Sequence, residues 1–213
     1  MFHITPKVAV LPSLGPLLLV HGMFSTPLDF LTRTDLGTNA TPLQLSAMGY
    51  DVWIGCTRGR EITLGHTTLD LADPVQNLAY WDFSYEEIGM EDITTMVNEI
   101  VASRKGNGDC NKVTIVSHGT GGNSALVAAS SSTLNFASKV GKIITIGPCL
   151  QVNIDEFWLP VRDLRSIEAF YASLAAFNIY SLFGSGVDAN LTAYCNSGSV
   201  NTLICNAYIL PAL

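Results

Sequence analysis

The most regular feature of the sequence is a set of short apolar runs separated by longer and more polar segments. Each run is rich in leucine or β-branched residues and ends at Gly, His, Ser or Pro; the runs are Leu17–Val20, Asp51–Gly55, Val113–Val116 and Lys142–Ile146. Continuous apolar runs of this length are typical of strands that are buried on both faces, as in a parallel sheet. The pattern therefore predicts four strands of one parallel sheet.

Helical patterns lie between these predicted strands. They cover Thr41–Met48, Tyr85–Ser103 and Asn123–Ser130, and the second carries an apolar stripe at helical spacing that includes Ile93, Val97 and Ile100. Strands that alternate with helices are typical of right-handed crossover connections in a doubly wound α/β fold. We therefore predict an α/β fold.

The pattern changes after Pro148. Two short helical patterns, Asp155–Leu164 and Ser166–Phe183, precede a stretch rich in Gly, Ser and Asn and a short apolar end. We predict a core domain over residues 1–152 and a partial cap or lid region over residues 153–213. No apolar run reaches the roughly 18 residues that a membrane-spanning helix needs.

Composition narrows the class of function. Hydrophobic residues make up 48% of the 213 residues and charged residues only 14%, which excludes intrinsic disorder and a charged coiled coil. The formal charge is −7 and no basic stripe is present, so we expect no nucleic-acid partner. So few charges leave much of the surface apolar, which indicates a face that is covered by a partner or by lipid.

The cysteines and the amino-terminal residues indicate which metal sites, disulfides and cellular compartments to expect. Five cysteines without a C-x-x-C pair argue against a zinc ribbon, and we expect no metal and no cofactor. Only Cys195 and Cys205 are close in sequence, and they are the candidates for a disulfide in an oxidising compartment. The first 22 residues lack the pattern of a secretory signal peptide.

The first chemical motif is His21-Gly22-Met23, directly after the first predicted strand. A glycine at this point lets the backbone turn sharply and present N–H groups to a ligand. A plain turn at the end of a strand is the alternative interpretation.

The second motif is V-S-H-G-T-G-G, over Val116–Gly122, between the third predicted strand and an alanine-rich helix. A strand, a sharp turn and a helix form the nucleophile elbow of hydrolases, in which G-x-S-x-G carries the serine at the tip. Here the frame consists of Ser117, His118, Gly119, Thr120 and Gly121. The tip is Gly119, which has no side chain that can attack a carbonyl group.

With these motifs the sequence resembles the acid lipase family of α/β-hydrolases, from about Leu17 to Cys205. The segments LLLVHGMFSTPLDF, GYDVWIGCTRGREITLGHTTL and YWDFSYEEIGMEDITTMVNEI are similar to the family's blocks, and Arg58, Gly59 and His66 match its positions. The resemblance implies an α/β-hydrolase-like, mostly parallel sheet with flanking helices and a helical cap. It also implies that His21, Gly22 and Met23 form an oxyanion segment, and that Cys195 and Cys205 are the paired cap cysteines.

The sequence departs from this family at its catalytic positions. Gly119 stands where the family has its serine, and Ser117 stands where the family has the first elbow glycine. The chain order in this fold is serine, acid and then histidine, yet none of the four histidines follows the elbow; they are His3, His21, His66 and His118. The sequence stops at Leu213, before the family's last strands, so we expect a sheet truncated there.

Neighbouring residues are poor substitutes for the triad. On a sharp turn Ser117, His118 and Thr120 point in different directions, and Ser124 is expected on the helix surface. We interpret His66 as a structural hydrogen-bonding residue. For Arg58 we expect an ion pair between loops, with Asp82, Glu86, Glu87 or Asp92 as the candidate partners.

We therefore expect a catalytically inactive relative of acid lipases that serves as a scaffold or a subunit of a larger, membrane-associated assembly. A protein partner would cover the exposed edge of the sheet. The alternatives are an active lipase that hydrolyses triacylglycerols or cholesteryl esters, and a module that binds a lipid or an acyl chain. The family is secreted or lysosomal, whereas the lack of a leader pattern fits an organellar, for example mitochondrial, complex; the compartment stays open.

Overall fold

The chain forms two compact units. One comprises Met1–Thr63 and Phe83–Leu150, and the other comprises Leu64–Asp82 and Gln151–Leu213. The structure, a computed structural model, describes residues 1–4, 14–23, 25–31, 40–104, 112–133, 135–148, 150, 176–177 and 189–198. Within these ranges no helix combines the length and the apolar character needed to cross a membrane. The predicted division of the chain at residue 152 stays a prediction.

The first unit is built on a mostly parallel five-stranded sheet. Its strands are β1 (Phe2–Ile4), β2 (Gly15–Val20), β3 (Tyr50–Gly55), β4 (Val113–His118) and β5 (Val140–Ile146). Their order is β1-β3-β2-β4-β5, and only the β1–β3 pair is antiparallel. All four predicted strands are confirmed, whereas the short strand β1 was not predicted.

Helices connect and flank these strands. Those of the first unit are α1 (Thr41–Ala47), α3 (Tyr85–Glu87), α4 (Thr94–Arg104), α5 (Thr120–Ser130) and α6 (Phe136–Lys139); α2 (Pro74–Tyr80) and α7 (Ala189–Asn196) belong to the second. Short 3₁₀ turns cover Pro27–Phe30 and Glu61–Thr63. The three helices predicted before residue 150 are confirmed, although α5 begins at Thr120 instead of Asn123.

A π-helical segment, Ile88–Ile93, interrupts the long predicted helix between α3 and α4. The hydroxyl of Thr94 donates a hydrogen bond to the carbonyl of Gly89 at 3.0 Å. At Gly89 the segment contacts α5 so closely that an added β-carbon would lie 2.3 Å from the carbonyl oxygen of Ser124. The π-helical turn and the missing side chain of Gly89 thus allow this backbone to approach that of α5.

The hydrophobic core lies on both faces of the sheet. On one face Leu18 and Val20 of β2 pack with side chains of α4 such as Val97 and Ile100. On the other face the alternate β2 residues, Leu17 and Leu19, pack with Val52 and Ile54 of β3. Because successive side chains of a strand point to opposite faces, the continuous apolar run of β2 serves both layers.

The described part of the second unit differs from the sequence pattern at two places. Ala176 and Phe177, within the helical pattern predicted over Ser166–Phe183, form a turn, and α7 lies in the stretch rich in Gly, Ser and Asn, where no helix was predicted. Tyr194 of α7 is fully buried, with its ring edge-on to that of Phe177 at 5.6 Å. The pattern predicted over Asp155–Leu164 lies outside the described residues.

Candidate functional site

The residues of both chemical motifs meet at the carboxyl end of the parallel strands. His21 and Gly22 follow β2, Thr57 follows β3, and Gly119 follows β4. In open α/β sheets ligands bind at this edge, since the loops leaving adjacent parallel strands converge there. The two motifs of the sequence therefore belong to one site.

Gly119 lies at the tip of a sharp strand-to-helix turn. Its φ is 53° and its ψ is −128°, a combination that side-chain-bearing residues adopt only under strain. The N–H of Gly119 donates to the carbonyl of Ile146 at 3.0 Å, and its own carbonyl accepts from the N–H of Gly122 at 2.9 Å. The segment therefore has the elbow geometry that the S-H-G-T-G pattern predicts.

Close backbone contacts brace this elbow. A β-carbon on Gly121 would lie 2.4 Å from the carbonyl oxygen of His21, and one on Gly22 would lie 3.1 Å from Nδ1 of His118. The first contact involves backbone atoms that cannot rotate away, so Gly121 lets the start of α5 contact the loop after β2.

His21 fixes the geometry of the loop after β2. The imidazole is 2% exposed, with Nδ1 2.9 Å from the carbonyl oxygen of Gly22, and the N–H of Thr57 donates to Nε2 at 3.3 Å. Because Nε2 accepts this bond, Nδ1 carries the proton and donates to Gly22. The Gly22 carbonyl also accepts from the N–H of Ser25 at 3.3 Å.

The same bonds set the direction of the next amide. The C=O and N–H of a trans peptide point in opposite directions, so the Met23 N–H points away from the His21 ring. Burial, and to a lesser degree the charge of Arg60, lowers the pKa of His21 and keeps the ring neutral. His21 is therefore a positioning residue: Nδ1 holds the carbonyl of Gly22 in its own loop, and Nε2 joins this loop to Thr57 after β3.

The hydroxyl groups around the tip do not form a catalytic pair. Ser117 is buried and its hydroxyl donates to the carbonyl of Ile144 at 3.4 Å, whereas His118, the next residue of β4, is exposed. In the described part of the chain no hydrogen bond joins the His118 ring to Ser117, Thr120 or Ser124. The expectation that Ser124 lies on the helix surface is wrong: it is 1% exposed, because the π-helical segment packs against this side of α5.

Arg58 joins the loop after β3 to the π-helical segment. Its Nε donates to Asp92 at 2.8 Å and its backbone N–H donates to the same carboxylate at 2.8 Å. Nη2 contacts Glu91 at 2.5 Å, and Cζ lies 5.7 Å from the centre of the Phe83 ring. These carboxylates raise the pKa of Arg58 against the effect of burial. The expected ion pair is confirmed with Asp92, while Glu91 was not predicted.

His66 and Cys195, two further residues singled out in the sequence, make contacts that hold the fold. His66 accepts hydrogen bonds at Nδ1 from the N–H groups of Thr68 and Leu69, at 3.2 and 3.1 Å. Cys195 takes part in a disulfide, and Cys205, its predicted partner, lies outside the described residues. Among the described residues no group of three or more His, Cys, Asp or Glu side chains forms a metal site.

Curated relatives of this chain are lipases. Lipase 1 of Drosophila melanogaster is 38% identical over 87 residues, which cover 40% of this chain and 18% of that protein. Lipase lipl-5 of Caenorhabditis elegans is 24% identical over 78% of this chain and 37% of its own length. The lysosomal acid lipase/cholesteryl ester hydrolase of Rattus norvegicus is 27% identical over 62% of this chain and 31% of its own length.

The chain thus spans between 18% and 37% of the length of these curated relatives. No protein-family model matches it. The relatives and the mostly parallel sheet with flanking helices make this chain lipase-like, with a partial α/β-hydrolase fold.

Proposed function

We propose that this chain is a catalytically inactive, acid-lipase-like protein that acts as a scaffold or subunit of a larger assembly. The observation that carries the proposal is the elbow itself: Gly119 has the strained backbone of a nucleophile tip and no side chain. The relatives are named as lipases, which supports an origin of this fold in lipid metabolism.

The loss of catalysis follows from what an acyl-transfer reaction requires. A nucleophile needs a base within hydrogen-bond reach, and the base needs an orienting group. At this elbow the tip offers only backbone, and both ring nitrogens of His21 are occupied by Gly22 and Thr57. Within the described residues the exposed His118 forms no hydrogen bond with a hydroxyl of the elbow. Removing the nucleophile of a serine hydrolase costs on the order of a millionfold in rate.

The role in an assembly is supported by β5, the last strand of the described sheet. Among the described strands β5 pairs only with β4, and its Ile144 and Ile146 are 49% and 56% exposed. A strand whose outer edge pairs with no described strand, and whose isoleucines are exposed, offers a surface that another chain can cover by adding a strand. We propose a protein partner at this edge.

Hydrolysis assays separate the proposed function from an active lipase. The purified chain is incubated with p-nitrophenyl butyrate and p-nitrophenyl palmitate, and we expect rates no higher than those of the heat-denatured chain. Saturable hydrolysis above that background would establish the active lipase.

Size exclusion with light scattering tests the assembly role. We expect the chain to self-associate or to elute with a partner from its native source, and the double variant Ile144→Lys/Ile146→Lys to elute as a monomer. Val75→Lys is the matched control, because Val75 is an equally aliphatic and 77% exposed residue of α2. A wild-type chain that is monomeric and elutes without a partner contradicts the proposal.

A second candidate, a lipid-binding module, is favoured by one observation. A groove of about 250 Å³ lies along α5, and three of its lining residues are aliphatic: Leu126, Val127 and Leu150. Native mass spectrometry of the purified chain distinguishes this function, because a co-purified lipid would add a discrete mass that a scaffold does not require.

A further inference from the structure

Arg60 differs from the other arginines that the structure describes. Arg58 pairs with Asp92 and Glu91, and Arg104 pairs with Asp51. Arg60 forms no ion pair within the described ranges, and its buried Nε has no hydrogen-bond acceptor there. A buried guanidinium N–H without an acceptor is costly, because the group has lost its water and gained no partner.

The backbone beneath Arg60 is held in place by Thr63. The Thr63 N–H donates to the Arg60 carbonyl at 2.8 Å, and the Arg60 N–H donates to the Thr63 hydroxyl at 3.3 Å. That hydroxyl in turn donates to the carbonyl of Thr57 at 3.0 Å. The backbone that carries the cation is therefore fixed at the start of the 3₁₀ turn Glu61–Thr63, so little backbone freedom is lost when a ligand binds.

Hydrogen bonds join the turn of Arg60 to the functional edge of the sheet. The Thr63 hydroxyl donates to the carbonyl of Thr57, and the N–H of Thr57 donates to His21. In line with this position, the charge of Arg60 contributes to lowering the pKa of His21. The titratable groups that act on its charge are the Cys56 thiol and, to a lesser degree, Asp29, whose carboxylate accepts from the N–H of Thr26 at 2.6 Å and lies beyond ion-pair distance of Arg60. Since His21 is neutral, Arg60 supplies the positive charge beside the loop after β2.

We propose that the guanidinium of Arg60 is a binding site for an oxyanion, a carboxylate or a phosphate, beside the loop of His21 and Gly22. A planar guanidinium with free N–H groups binds such anions through paired, charge-assisted hydrogen bonds. The site goes beyond the proposed function, because it requires neither catalysis nor a partner chain. Either a free fatty acid or a phosphate-bearing molecule would supply this chemistry.

The test is a titration of the full chain followed by NMR on the arginine Nε–Hε signals. The probes are sodium hexanoate, inorganic phosphate and the uncharged hexanol. We expect hexanoate or phosphate to shift the Arg60 signal saturably, and hexanol to leave it unchanged. The anion that binds more tightly identifies the source of the ligand, and saturation by either one supports the site.

Three variants make the test specific. Arg60→Gln should weaken anion binding about tenfold or more, whereas Lys142→Gln, which removes the same charge from the exposed edge strand β5, should not change it. Asp29→Asn keeps an oxygen for the Thr26 N–H and removes the competing charge, so binding should tighten about two- to threefold.

Some results would overturn the site. They are the absence of saturable shifts with both anions, equal binding by Arg60→Gln and the wild-type chain, or equal shifts with hexanol. If Arg60→Gln does not fold, as judged by its amide spectrum, the wild-type titration and Asp29→Asn decide: unchanged affinity in Asp29→Asn then overturns the assignment to Arg60.

Discussion

The Cα atom of Gly22 lies 3.7 Å from the position that a β-carbon on Gly119 would occupy. This is an ordinary van der Waals separation, so the site has room for a side chain at the tip of the elbow. What opposes a side chain there is the backbone, whose φ of 53° and ψ of −128° are strained for every residue except glycine. Glycine at the tip therefore relieves strain.

The first prediction concerns the stability of the elbow. Gly119→Ala and Gly119→Ser should each lower the free energy of unfolding by about 1–3 kcal/mol, because the new side chain meets backbone strain without a steric clash. Urea unfolding measures the change. Gly198→Ala is the control, since its added methyl group meets open space and its φ is not positive. Equal stability of Gly119→Ala and wild type would show that the tip is unstrained.

A second prediction separates crowding from strain. Gly121→Ala should cost about 3 kcal/mol, because its β-carbon would lie 2.4 Å from the His21 carbonyl oxygen and the two backbones must move apart. Urea unfolding gives the cost, and crystallography or NMR should show α5 displaced from the loop after β2. If Gly121→Ala lowers the free energy of unfolding no more than the Gly198→Ala control does, the two backbones are not in close contact at this point.

Much of this architecture could be predicted from residues close together in sequence. The apolar runs gave the four parallel strands, and the S-H-G-T-G pattern located the turn at Gly119. The N-terminal end of α2 could also have been predicted, since an Asp followed by a Pro is typical of a helix start. In the structure the Asp73 carboxylate accepts from the N–H of Val75 at 2.9 Å. That helix was missed because its Val75 and Leu78 are exposed and form no apolar stripe.

Other features depend on contacts between distant residues. The short strand β1 is held by His3, whose ring stacks on Trp53 at 3.9 Å and whose Nε2 lies 2.6 Å from the Asp51 carboxylate. The π-helical segment and the burial of Ser124 both follow from the approach of Gly89 to α5. The order of residues within one segment carries no signal for a contact with a distant segment, so these features could not be predicted.

The third prediction is a pH dependence that belongs to His21. Burial holds its pKa below the ordinary value of 6.5, so the unfolded chain binds the proton more readily than the folded chain. The stabilising effect is complete above pH 6.5 and is lost as the pH falls below it, with a slope of at most about 1.4 kcal/mol per pH unit.

Urea unfolding between pH 7.5 and about 5 measures this slope against that of His21→Gln. Both proteins share the histidines outside the site, so the difference between the two slopes isolates His21. Asp51, whose pKa is also lowered, loses its contribution only in more acidic solution, below 3.8. Parallel curves for the two proteins would show that His21 titrates normally.

The fourth prediction concerns the two hydrogen bonds from the Arg58 guanidinium to the Asp92 carboxylate. Arg58→Lys should destabilise the chain by about 1–3 kcal/mol, because a lysine keeps the charge but lacks the planar pair of Nε–H and Nη2–H donors that bond the Asp92 carboxylate. Glu91→Gln should cost about 0–1 kcal/mol, since that carboxylate is 63% exposed. Thermal or urea unfolding compares the two variants, and an Arg58→Lys variant no less stable than Glu91→Gln would refute the role of the paired bonds.

The most direct test of the central claim is covalent labelling of the native chain with a fluorophosphonate, followed by intact-mass and peptide mass spectrometry. An active serine lipase treated in parallel verifies the reagent. Because the elbow tip presents only the backbone of Gly119, the account predicts an unchanged mass for this chain. An adduct located on Ser117, Thr120 or Ser124, and lost after heat denaturation, would contradict it.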